Sequence, residues 1–355
     1  MIKRWKKGMV ATLALALGGM LLAGGAVAQD KVRVGMSAFQ DVNSLYVGIE
    51  QGFYPGIEFE IQRSSWQGAN ELLVANQVDI ATSSDSDVTI HNARGVETTL
   101  AFPLYYFAGG GLMYDTEKHD WKSFDHFMEE TGGDIDESIT KALQQTVGAT
   151  VGVSAAAAEF SAFVEMLNIA GLTTESYNIV ELVQEDLPPA LFSGSIDIMI
   201  AGIPQRLAAL RQGYGTLMDQ TVVPSTVAQA GFAAHRSWVE ENFELAKRIQ
   251  QGIFKTLAFI EDNPEEGFAT ISAKLLEAGT EVSTEALMGV WNTMEFFPRD
   301  KATFEAWVVA EDGRFYWRDR FQTVRDNFIQ EGRIDSMDTP LEDLHWGLRV
   351  VDALQ

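Results

Sequence analysis

The sequence predicts an α/β protein of two lobes, each built on a largely parallel sheet. Three observations carry that prediction. Strand-like and helix-like runs alternate from Val32 to Tyr106, and such alternation specifies strands joined through helices. The alternation breaks at an acidic stretch, 115–145, and restarts at Ala149. The chain has 355 residues, of which 46% are hydrophobic, a length that suits two units of ordinary size.

The elements follow in order. Lys3, Arg4, Lys6 and Lys7 make a basic start, an uncharged apolar stretch runs on from Met9, and Ala26-Val27-Ala28 supplies a small-x-small pattern. This is the layout of a secretory signal over residues 1–28. The apolar stretch is also long enough for a membrane anchor; its glycines and cleavage pattern favour removal. With no cysteine in the chain, no lipidated cysteine follows the signal, and stability must come from the core rather than from disulfides. The periplasm of a Gram-negative-type cell is the expected compartment.

Residues 32–36 alternate as a strand does. Residues 45–54 have helical spacing with Gly52 as a stop. A strand at 57–64, a helix at 68–77, a strand at 78–83, a helix at 87–95 and an extended run at 97–106 complete the first series. Gly109-Gly110-Gly111 reads as a hinge or chain reversal, since it lacks the spacing and helix start of a phosphate cradle. Residues 115–145 read as a surface insertion. The second series has strands at 149–153, 177–183 and 196–202. Helices fill the intervals, the first opening on Ala155–Ala158 and ending near Ala170, and a strand leads back at 228–239. Beyond Val239 the chain reads as helices packed on the first lobe, with no sheet partner. The expected units are 29–107 with 228–355 as one lobe and 108–227 as the other.

Charge and missing motifs exclude several classes. Removal of the signal leaves 22 basic residues against 50 acidic ones, a net of −28. Such a surface repels nucleic acid and anionic membranes and suits a soluble monomer. The absence of cysteine removes thiol catalysis. His91, His119, His126, His235 and His345 form no close metal-spaced pair, and neither a nucleophile elbow nor a phosphate-binding loop is present. No cofactor, metal or catalytic residue is therefore expected.

What remains is a set of polar and aromatic residues at the carboxyl ends of the predicted strands, where open α/β sheets bind ligands. These are Ser37, Phe39 and Gln40; Trp66 and Gln67; Ser83, Ser84 and Asp85; Glu159 and Phe160; and Gly202 and Pro204, with Ile203 and Gln205 beside them. Tyr106 joins them as an aromatic wall. Each has a second reading: Ser84 and Asp85 suit a helix cap, Trp66 suits the core, and Glu159 suits a solvent-facing first helical turn.

The succession of these loops, from Val32 to Gly95 and from Leu187 to Leu210, resembles the periplasmic substrate-binding proteins of the nitrate, sulfonate, taurine and thiamine-precursor family of ABC importers. The helical stretches at 235–267 and 320–334 resemble that family's return and closing helices. The resemblance implies a type II periplasmic-binding-protein fold with two crossovers, expected near 106–111 and 222–232, closing on a small molecule. It also implies delivery to a membrane permease with its ATPase. Sulfonate binders of the family usually carry hydroxyls where this chain has Ala155–Ala158, Glu159 and Phe160. That departure points to a neutral or amine-bearing ligand. A taurine or alkanesulfonate binder, and a protein that feeds a sensor kinase, are the alternatives. An enzyme on this scaffold would need, as a related branch does, a histidine donor that none of the five loops supplies.

Overall fold

A computed structural model describes residues 29–155 and 157–355; the expected signal at 1–28 lies outside the described residues. The chain opens as β1 (Asp30–Met36), α1 (Ser44–Glu50), β2 (Ile57–Arg63), α2 (Trp66–Val74), β3 (Ile80–Ser84), α3 (Asp85–Ala93) and β4 (Thr98–Phe107). These match the expected first series. Val32, Val34 and Met36 alternate into the core from β1, and Gly52 ends α1 with φ +70°, a conformation that costs other residues about 1 kcal/mol or more. Ser65 and Ser84 cap α2 and α3 through their side chains, and Asp87 completes a capping box with Ser84.

A second series follows: β5 (Gly111–Tyr114), α4 (Phe124–Glu130), α5 (Ile135–Gln144), β6 (Thr150–Val153), α6 (Ala158–Ile169), β7 (Asn178–Glu181), α7 (Leu187–Phe192), β8 (Ile198–Ala201), α8 (Ile203–Arg211) and β9 (Gly215–Asp219). Two expectations need correction here. The stretch 115–145 is no mere surface insertion: α5 turns Ile139, Ala142 and Leu143 into the second core, as its i, i+3, i+4 spacing requires. The helix after the alanine run begins only at Ala158.

The chain then returns through β10 (Ala228–His235) and continues as α9 (Arg236–Glu241), α10 (Phe243–Asp262), α11 (Pro264–Glu277) and α12 (Thr284–Val290). After β11 (Glu295–Phe296) come α13 (Lys301–Phe304), α14 (Trp317–Gln330), α15 (Leu341–Leu344) and α16 (Gly347–Asp352). The first sheet has the order β11-β4-β10-β3-β1-β2 and the second β7-β6-β8-β5-β9. The expectation of largely parallel sheets needs correction, for both are mixed. β10 lies antiparallel between β3 and β4, and β5 lies antiparallel between β8 and β9. The C-terminal part does have a sheet partner, since β11 pairs with β4 at Glu295↔Phe107. α10 and α16 cover one side of β4, while α14 packs on α3. This is a two-lobed type II periplasmic-binding-protein fold, with a crossover at 108–110 and another at 220–227.

Candidate functional site

The two crossovers run side by side and are stitched through one residue. Gln220 donates its backbone N–H to the Gly110 carbonyl at 2.9 Å, its Oε1 accepts from the Gly110 N–H at 2.8 Å, and its Nε2 donates to the Thr226 carbonyl at 3.0 Å. Arg206 closes the same corner, its Nη2 on Asp219 Oδ2 at 2.8 Å. Gly110 has to be glycine. A Cβ there would lie 2.5 Å from Gln220 Oε1 and 2.6 Å from Glu159 Cγ. Gly110→Ala is therefore expected to displace both side chains and to weaken ligand binding at least tenfold in calorimetry.

A cavity opens beside these crossovers, between the two sheets. It holds about 50 Å³, within about 510 Å³ of atom-free space that includes its open mouth. Phe39 and Trp66 meet at 5.9 Å between ring centroids, and Tyr105, Phe107 and Ile203 supply more apolar wall. Trp66 is oriented by its Nε1–H, which donates to Asp87 Oδ2 at 2.9 Å. The same oxygen accepts the Ser84 hydroxyl at 2.8 Å.

The polar side of the cavity is acidic. Asp41 and Glu159 line it. Just behind them Gln40, itself in the lining, donates to the buried Glu295. Burial pushes the Asp41 carboxyl up to about 7, against the pull of the Val42 N–H and the Tyr105 hydroxyl, with the Glu159 charge adding to the rise. Burial likewise pushes Glu159 up to about 7, although its carboxylate accepts from its own backbone N–H and from Gln184. Asp87 rises to about 6 from burial, and burial with the nearby Asp41 charge holds Glu295 well above the usual carboxylate range. Among the described residues no lysine, arginine or histidine lines the cavity. Two further lining atoms, Gln184 Oε1 and Gln205 Oε1, are buried and unpartnered. Both are acceptors and add to those that the two carboxyl groups offer once ionised. Among the described residues no group of three or more His, Cys, Asp or Glu side chains is placed to hold a metal ion.

The N-terminus of α6 explains Glu159. A helix start facing a cleft is a natural anion site. Here the protein's own carboxylate folds back onto a backbone N–H of that first turn and lies against Gly202, where a Cβ would sit 2.8 Å from Oε1. The solvent-facing reading of Glu159 is overturned, for its residue is only 8% exposed.

Of the sequence-derived candidates, Phe39, Gln40, Trp66, Ser84, Glu159, Gly202 and Pro204 come together around this cavity. The others do not. Asp85 is fully buried beneath the cleft, paired with Arg320 and accepting from the Gln229 N–H. Tyr106 turns to the opposite face of β4 and stacks on Phe315 at 4.8 Å. Phe160 enters the core of the second lobe, with Arg333 4.9 Å over its ring. Ser83 spends its hydroxyl on Asn70 at 2.8 Å, Ser37 is buried without facing the cavity, and Gln67 lies in an outer chamber. Asp41, Tyr105, Phe107 and Gln184 also line the cavity, with Glu295 behind it on Gln40, and the sequence singles out none of these.

A model of the NMT1-like family matches residues 25–277. The fold is similar to the periplasmic aliphatic sulphonate binding protein SsuA of Escherichia coli, with a TM-score of 0.65 at 14% identity over 89% of this chain and 97% of that one. It is similar to the periplasmic nitrate-binding protein NrtA of Synechocystis PCC 6803, with a TM-score of 0.59 at 13% identity over 92% and 99%. A Candida albicans gene product described as having the generic periplasmic binding protein fold gives a TM-score of 0.60 at 11% identity over 91% and 94%. At such identities the likeness is one of fold. No curated protein sequence matches the chain.

Proposed function

Because the chain belongs to the NMT1-like family, we propose that it is the periplasmic solute-binding component of an ABC importer and that its ligand is a small amine-bearing organic molecule, cationic when bound. The lobes in this reading are 29–107 with 228–355, and 108–227, with the crossovers at 108–110 and 220–227 as the hinge. The ligand favours the closed form by touching both lobes. The protein captures its ligand without turning it over, and a permease with its ATPase receives it.

One observation carries the choice of ligand: an aromatic cavity whose polar lining includes two carboxyl groups and unpartnered amide oxygens, with no basic residue among the described residues. A cationic N–H donor satisfies those acceptors and gains from the rings of Trp66 and Tyr105. A sulfonate or nitrate would meet Asp41 and Glu159 without a counter-charge, a cost of several kcal/mol in a desolvated site. The sulfonate and nitrate binding named for the structural neighbours is therefore not carried over. Calorimetry against panels of primary amines, aminopyrimidines and alkanesulfonates tests this. Binding of the nitrogen bases alone supports it, and binding of sulfonates alone overturns it.

The raised carboxyls give the reading a pH signature. With Asp41 and Glu159 near 7, the empty site carries protons at pH 6 that a cation must expel. Amine affinity is expected to rise by about tenfold per pH unit for each proton released between pH 5.5 and 7.5, flattening above about 8. An anionic ligand would show the opposite slope. Isothermal titrations in buffers of different ionisation enthalpy count the protons.

A further inference from the structure

The inner cavity is smaller than the space around it. Past Trp66, Ala157 and Gln184, which line both, it meets a second chamber of about 190 Å³. Past Phe39, Pro204 and Gln205 it meets a third of about 350 Å³. Ser65 and Glu185 are common to the two outer chambers, so the three lie side by side around Phe39, Trp66 and Pro204. Among the described residues no lysine, arginine or histidine lines any of them. The outer space has its own carboxylates, the exposed Glu181 and Glu185, and Glu181 also lies near enough to Arg333 to favour its charged guanidinium.

Two unpartnered acceptors mark the route. Gln205 Oε1 is buried without a partner in a residue only 7% exposed, and this residue lines both the inner cavity and the third chamber. Gln184 Oε1, also unpartnered, stands where the inner cavity meets the second chamber. An isolated ammonium group held by Asp41 and Glu159 would leave Glu185 and at least one of these amide oxygens unused.

Resting on the amine reading above, we propose that the ligand is an elongated diamine or polyamine. One ammonium sits in the inner aromatic cavity, an alkyl segment passes the Trp66 neck, and a second ammonium sits at the outer site of Glu181 and Glu185. The flexible chain carries further N–H groups past Gln184 or Gln205 in the longer members of the class. The outer pairing is more exposed than the inner one, so its effect is smaller and screened by salt.

Calorimetry of the mature protein with n-butylamine, 1,4-diaminobutane, 1,5-diaminopentane and spermidine tests this, at low and high salt, on the wild type and on a Glu181→Gln/Glu185→Gln double variant. The expected result is that at least one diamine or triamine binds roughly tenfold more tightly than butylamine in the wild type. That advantage shrinks in the double variant and in high salt, while butylamine affinity stays unchanged. Butylamine binding with no advantage for any diamine overturns this proposal and leaves the amine reading standing. An advantage that persists undiminished in the double variant also overturns it. Failure of every amine to bind overturns both.

Discussion

Glu159→Gln is expected to lose about two orders of magnitude in amine affinity and, at the same time, to make the ligand-free protein more stable at pH 8. The binding loss follows because truncating the charge of one partner in a desolvated ion pair costs about 2–5 kcal/mol, and Glu159 is buried in the cavity wall. The stability gain follows from the sign of its shift. Its folded pKa of about 7 lies above the ordinary 4.5, because burial penalises the charged form. Such a group contributes stability that is fully present below pH 4.5 and is lost as pH rises through 7. At pH 8 the folded wild type therefore holds a carboxylate whose ionisation opposes folding by on the order of 3 kcal/mol. Glutamine has nearly the same shape and no charge to desolvate. The melting temperature of the variant should exceed that of the wild type at pH 8 by several degrees and match it near pH 4. A residue placed only for structure would not show this exchange of stability for binding. Unchanged amine affinity in the variant, measured by calorimetry at pH 8, would remove Glu159 from the ligand's contacts.

The same physics explains what could be read in the sequence. The α/β alternation was legible because Val32, Val34 and Met36, or Ile198 and Ile200, repeat at the period of a half-buried strand or a continuous core strand. The loops at the strand ends were legible for the same reason, and they supplied Phe39, Gln40, Trp66, Ser84, Glu159 and Pro204. The errors are errors of facing. In β4 successive side chains point to opposite faces, so Tyr105 and Phe107 look into the cleft while Tyr106 looks away. Tyr106 lies on the strand that lines the cleft but on its other face. In α6 one residue turns the helix by about 100°, which sends Phe160 into the core and leaves Glu159 in the cavity. Asp41 follows Gln40 directly and could have been found by asking which acids lie in strand-end loops. Glu295 could not. Its partner Gln40 lies 255 residues away in the chain, and β11, which places it, is two residues long, too short to show a period.

Asp85→Ala gives the largest expected stability effect, and it separates two roles that the sequence presents as equivalent. Asp85 and Asp87 both open α3 beside the cleft. Asp87 turns outward to hold Trp66 and Ser84, while Asp85 turns inward. Arg320 of α14 donates to it twice, Nε to Oδ2 at 2.8 Å and Nη2 to Oδ1 at 3.2 Å. The Gln229 N–H adds 2.6 Å to Oδ2. Arg320 Nη1 also reaches the Ser225 carbonyl at 3.4 Å, inside the second crossover. The pair thus ties α3, β10, the hinge and the closing helix together, with Asp85 unexposed and Arg320 4% exposed. Removing the carboxylate strands a guanidinium without its counter-charge, which costs about 3–5 kcal/mol. A fall in melting temperature of roughly 10 °C is expected. The Asp85→Ala/Arg320→Met double variant should recover most of it, because a buried pair replaced by apolar side chains leaves no uncompensated charge. Amine affinity measured below the new transition should stay within about threefold of wild type, since neither residue lines the cavity. A variant that melts normally but no longer binds would return Asp85 to the ligand site, where its position after a strand first suggested it belonged.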